Sequence, residues 1–132
     1  MKLTEHFNIN EFACNDREHT PVPEEFIYNC IELSKNLEVL RAELKCPIHI
    51  NSGYRTKAYN ASLQGSATNS QHLQAKAADI TTAHHTPSEI RAKIIELINA
   101  GKMKQGGVGF YNNFIHYDIR GVKARRDFRS NK

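Results

Sequence analysis

Two short stretches hold side chains suited to binding a metal. "SQHLQAKAAD" (70–79) sets His72 and Asp79 seven positions apart, and "FIHYDIR" (114–120) sets His116 and Asp118 two apart. Hydrolytic zinc sites use three protein ligands drawn from imidazole and carboxylate and keep a fourth position for water. His72, Asp79 and His116 fill that set, and zinc held there would bring the pKa of water down to about 7. A carboxylate near the water must then move protons, and Asp118 is the nearest in sequence. By spacing alone, such pairs also arise by chance in a chain with seven histidines, so a surface helical turn competes as the reading of 70–80.

Elements must bring these residues together. Alternation along 114–120 puts Phe114, His116, Asp118 and Arg120 on one face, with Ile115, Tyr117 and Ile119 on the core side. "GGVGFYNNFIHYDIR" reads as a β-hairpin turning at Asn112-Asn113, whose side chains tolerate positive φ. Ala77 to Thr81 reads as a buried strand, and Ile48 to Asn51 as a short strand after Pro47. Phe26, Cys30, Leu33, Leu37, Leu40 and Leu44 recur at helical spacing behind Pro23, the expected first helical position. Residues 54–64 suit a short helix or ordered turn. Thr86, Pro87 and Glu89 start another helix with a capping box, which Gly101 stops. The sum is an α+β fold, helices packed on one face of a small, mainly antiparallel sheet.

The chain of 132 residues suits a single domain, 1–132, with a docking arm over 1–20 and a basic tail over 121–132. Average apolar and charged content excludes disorder and coiled coil, and no apolar run is long enough for a bilayer span. The first residues lack the apolar core and cleavage site of a signal peptide, so synthesis in the cytoplasm is expected. Cys14, Cys30 and Cys46 are an odd set with no C-x-x-C pair, read as reduced, with Cys30 in the core. The tail carries five basic residues against one acid, which suits weak contact with an anionic wall polymer. No recognition helix or stacking platform accompanies it, so specific nucleic-acid binding is not expected.

"SGYR" (52–55), "SQHLQAKAAD" (70–79), "GGVGFY" (106–111) and "FIHYDIR" (114–120) occur in a fixed order that closely resembles the zinc D-Ala-D-Ala metallopeptidases. The resemblance extends to the "F-x-x-x-E-F-x-C" opening at 7–14 and the helix before SGYR. It implies one zinc ion on His72, Asp79 and His116, in agreement with the ligand chemistry above. It further implies that Arg55 stabilises the oxyanion or binds the substrate carbonyl, and that Ser70 contacts the substrate peptide. Ser52-Gly53 is expected to make a sharp turn that aims Arg55. The implied activity is hydrolysis of peptidoglycan stem peptides at or next to D-alanine, by a monomer that reaches the cell wall after release, as a phage or prophage lytic enzyme does. The alternative is a non-catalytic zinc module for wall binding or phage structure, since hedgehog signalling domains share the architecture without known peptidase work.

Two departures from the family pattern stand out. Its glycine inside the His–Asp motif is Ala75 here, which is strained by roughly 1 kcal/mol or more if the backbone has positive φ there. Some relatives carry an acid three positions before the last His, where Asn113 stands, leaving Asp118 as the expected base, or else as the support of His116 or Arg120. His49 reads as pointing to solvent or a polar pocket, His84 and His85 as exposed with one of them an alternative cleft residue, His6 and His19 as without partners, and Tyr54 and Tyr111 as packing residues.

Overall fold

The computed structural model describes residues 1–130 and forms an α+β fold. Its strands are β1 (His49–Ser52), β2 (Ala77–Thr81), β3 (Gly107–Phe110), β4 (Ile115–Asp118) and β5 (Ala124–Asp127), and its α-helices are α1 (Ile27–Leu44), α2 (Lys57–Ser62) and α3 (Pro87–Asn99). The sheet runs β1-β2-β4-β3-β5. Every pairing is antiparallel except that of β3 with β5. Among the described residues, no helix is long and apolar enough to cross a membrane.

Apolar spacing explains α1. Cys30, Leu33, Leu37, Leu40 and Leu44 are all buried along one stripe, and each such side chain contributes about 1.5–3 kcal/mol of burial. The helix begins later than its proline suggests: Pro23 precedes a 3-10 turn over Glu24–Phe26 that leads into Ile27. Lys45 closes it in the left-handed conformation, two residues before Pro47. In α3, Thr86 and Glu89 make the capping box, while Ile90, Ile94, Leu97 and Ile98 are buried. Both helices contact one another, and α3 lies on β3 and β4.

The sheet therefore has two unlike faces. Ala78, Ile80, Val108, Phe110, Ile115 and Tyr117 point into the helix-covered core. The intervening residues Asp79, His116, Gly107 and Gly109 belong to the opposite face, which carries the site. At the β3–β4 turn neither Asn112 nor Asn113 has positive φ. Tyr111 N instead donates to Phe114 O at 3.2 Å, and Asn112 donates to Ser130 Oγ at 2.6 Å.

The N-terminal arm docks as its aromatics require: Phe7 and Phe12 are buried, and Asn8 and Glu11 cap a 3-10 turn over Ile9–Phe12. Residues 121–132 need a correction, because 124–127 form the edge strand β5 rather than a solvated tail. Strand alternation in Ala124–Asp127 is hidden by its charge, and only the neighbouring β3 reveals it. Lys132 of that basic run lies outside the described residues. All three cysteines are free and buried, and burial pushes the Cys30 thiol up to about 12. His6, expected to lack a partner, bonds Glu38 at 2.8 Å, and the partly buried His85 lies 3.4 Å from Cys46 Sγ.

Candidate metal centre

Gly53 is where the arm reaches the site. Its φ is not left-handed, so it makes no sharp glycine turn of the kind expected. Its role is proximity, since a Cβ there would lie 2.7 Å from Phe12 Cα, and Tyr54 N donates to Phe12 O at 2.8 Å. Held this way, Gly53 O lies 2.6 Å from His72 Nδ1. In return Arg55 N donates to His72 O at 3.0 Å, lacing the end of β1 to the loop that carries the histidine.

That loop is a 3-10 turn over Gln71–Gln74, started by Ser70, whose Oγ accepts from His72 N at 3.1 Å. It ends on Ala75 at φ 57 and ψ 32, after which β2 begins. The backbone therefore is left-handed at the position where a glycine was expected from the resemblance, and Ala75 is strained. Its methyl is 1% exposed within the core cluster. Burying a methyl is worth about 0.8 kcal/mol, and alanine also restricts the unfolded chain by about 0.4–1 kcal/mol. Together these offset a left-handed cost of about 1–2 kcal/mol. Ala75→Gly is therefore expected to move stability by less than about 1 kcal/mol in urea unfolding. Ala75→Val, branched at a left-handed position, is expected to lose more than that; equal stability of the two variants would refute this balance.

Ligand atoms of His72, Asp79 and His116 all lie within 4.8 Å of one another. Asp79 and His116 are direct partners across β2 and β4. Asp79 Oδ1 lies 3.2 Å from His72 Nε2 and 3.1 Å from His116 Nδ1. The outer nitrogens are occupied: His72 Nδ1 by Gly53 O, and His116 Nε2 by Asp118 Oδ2 at 2.6 Å. Hydrogen bonds to the far ring nitrogen select the tautomer that turns its lone pair inward, which is how metal-binding histidines are held. The donor set and its supports fit zinc.

Arg55 closes one side. Its Nη2 bonds Asp79 Oδ2 at 3.1 Å, its Nε bonds Ser52 Oγ at 3.2 Å and its Nη1 bonds Asn60 Oδ1 at 3.2 Å. A cavity of about 330 Å³ opens over the cluster, lined also by Ser70, Tyr111 and Arg126. Tyr111 is a wall of this cavity rather than a packing residue. Burial and the neighbouring Asp79 carboxylate raise its phenol while Arg55 opposes them, so it stays a neutral donor.

Asp118 differs from the general base expected of it. It is fully buried, and five donors surround it. Gly107 N (2.9 Å), Arg120 N (3.1 Å) and Arg120 Nε (2.9 Å) donate to Oδ1. His116 Nε2 and Arg120 Nη2 (2.7 Å) bond Oδ2. Burial works against its charge, but the bonds from His116 and Arg120 outweigh it and hold the carboxyl well below the usual range. A proton acceptor needs a free lone pair, and the donors around Asp118 occupy both of its oxygens. Among the described residues lining the cavity, Asp79 is the only carboxylate.

Charge in the centre depends on pH. Burial and the neighbouring cations leave His72 below its ordinary value despite Asp79. Burial also disfavours charge on His116, yet Asp118 and Asp79 raise it to about 9. In the metal-free protein that charge stabilises the fold below the ordinary histidine value, and the contribution is lost as pH rises through about 9. Zinc requires the neutral ring, so uptake at pH 7 is expected to release the His116 proton in addition to any lost by metal-held water. Calorimetry in two buffers of different ionisation heat measures this; zero release at pH 7 contradicts it.

Sequence reading missed Arg126 and Phe128, whose only signal was an alternation hidden in a basic run, and gave no role to Gly109 within the GGVGFY motif. The profile of the family described as Peptidase M15 matches residues 5–118, while the curated proteins and the solved structures give no match. Running from the arm to the last residue of β4, that match takes in His72, Asp79, His116, Arg55 and Asp118, and the chain belongs to the peptidase M15 family of zinc D-Ala-D-Ala metallopeptidases.

Proposed function

We propose that this chain hydrolyses peptide bonds in bacterial peptidoglycan stem peptides, at or next to D-alanine, as a monomeric phage or prophage lytic enzyme acting on the wall after release. The observation that carries the reading is the convergence of His72, Asp79 and His116 at the floor of an open cavity with Arg55 beside them. Zinc, when bound, supplies a Lewis acid and water acidified to about pKa 7. Arg55 presents a fixed guanidinium where negative charge develops on the attacked carbonyl. Ser70 Oγ accepts from His72 N, leaving its hydroxyl proton free to donate to a peptide carbonyl. Asp118 keeps His116 in register and takes no proton. Lys123 and Arg129, exposed or half-buried near β5, suit weak contact with anionic wall polymers.

A non-catalytic zinc module is the second reading, favoured by one observation, the lack of any free carboxylate in the cavity among the described residues. Release of amino groups from purified peptidoglycan separates the two. The peptidase reading expects release that a chelator abolishes and added zinc restores. No release from protein carrying one zinc ion would establish the binding module instead.

A further inference from the structure

We infer that Arg126 forms a carboxylate-binding subsite next to the metal centre, holding a free carboxylate of the stem peptide about one residue beyond the bond that is cut. This rests on the peptidase reading above. One register row crosses the whole sheet on the site face: Ser52, Asp79, His116, Gly109 and Arg126. Arg126 is thus two strand spacings from His116, roughly 10 Å between backbones. Gly109 stands between them and contributes no side chain, so the floor from the metal ligands to Arg126 is open. A Cβ on Gly109 would lie 3.1 Å from His116 Cβ and 3.3 Å from the Tyr111 ring.

Charge balance singles out Arg126. Three arginines line the cavity, and two are engaged: Arg55 with Asp79, and Arg120 with Asp118. Arg126 is exposed and makes no hydrogen bond or ion pair among the described residues. A guanidinium matches a carboxylate with two parallel hydrogen bonds. One residue of extended peptide spans about 3.4 Å, so a carbonyl at the ligand cluster places the next carboxylate within reach of the Arg126 side chain. Phe128, just past the end of β5, stacks on Tyr111 at 4.8 Å and walls the gap with apolar surface suited to an alanine methyl. Arg126 comes from β5 and Phe128 from just after it, both beyond the 5–118 match, so these two side chains are an addition to the shared family core.

Stem peptides offer two such carboxylates, the C-terminal one and that of an interior acidic residue, and the test separates them. Arg126→Gln and Arg126→Lys are compared with wild type on three peptides ending in D-Ala-D-Ala. One keeps both carboxylates, one has a C-terminal amide, and one has its interior carboxylate amidated. Binding is measured by calorimetry on metal-free protein, and kcat/KM on zinc-loaded protein. Arg126→Gln is expected to weaken binding and kcat/KM about tenfold on the peptide with both carboxylates, with partial recovery in Arg126→Lys. No loss on the C-terminal amide assigns the subsite to the C-terminus and a carboxypeptidase; no loss on the interior amide assigns it to the interior acid. Equal loss on all three, or none on any, overturns the subsite. Arg126-dependent binding without cleavage by zinc-loaded wild type would retain the subsite and remove the peptidase reading.

Discussion

Asp118→Asn is expected to weaken zinc binding about 10–100-fold, because Asp118 supports a ligand and does not transfer protons. Five donors converge on its two oxygens. An asparagine offers one acceptor oxygen, so the donors at the other oxygen meet an amide NH2. Either the three at Oδ1 or the two at Oδ2 lose their acceptor, and Arg120 loses its counter-charge in both cases. Arg120 is about a third exposed, so water screens part of the lost charge pair, and the unsatisfied donors are expected to cost about 1–3 kcal/mol. Where the amide NH2 takes the Oδ2 site, His116 has no partner at Nε2, and its Nδ1 no longer holds position opposite Asp79. Zinc affinity by competition with a chelator, and the urea midpoint of the metal-free protein, measure both effects. Wild-type zinc affinity combined with a hundredfold or greater loss of kcat would return Asp118 to the role of base.

Gly107→Ala is expected to reach the same network from the neighbouring strand and cost about 3–5 kcal/mol of stability. A Cβ on Gly107 would lie 2.2 Å from Asp118 Oδ2, 2.8 Å from its Cγ and 2.9 Å from Arg120 Nη2. β3 has no room to retreat, since β4 holds one edge and β5 the other. The carboxylate must therefore move off His116, and zinc affinity should fall together with stability. Domains are stable by about 5–15 kcal/mol, so the loss is a large share of the total. Gly65→Ala is the control: it has positive φ but nothing within 4 Å, and should lose only about 1–2 kcal/mol with zinc binding intact. Urea unfolding that gives Gly107→Ala wild-type stability would show that β3 adapts.

Much of this architecture was legible along the chain. The stripe Cys30, Leu33, Leu37, Leu40 and Leu44 marked α1, the Thr86–Glu89 box marked the start of α3, and the apolar run at 77–81 matched the bounds of β2. These signals are local: helical spacing, a capping pair and a strand's length all lie within a few residues. The same holds for the ligand types, since neutral imidazoles and a carboxylate are named by their chemistry before any fold exists. Charge concealed β5, because a strand whose outward residues are arginines has the composition of a tail.

Sequence by itself determined the α+β order of elements and the residue types able to hold zinc. Only the tertiary structure decided what each carboxylate does. Asp79 and Asp118 are chemically identical, but Asp79 pairs with His116 across β2 and β4 and faces the open cavity. Asp118, two residues past His116, meets the bare backbone of Gly107 and the returning Arg120, which close over both its oxygens. That difference arises from strand register and from a glycine eleven residues away on another strand. Interactions of that range are set by packing, which no spacing along the chain encodes.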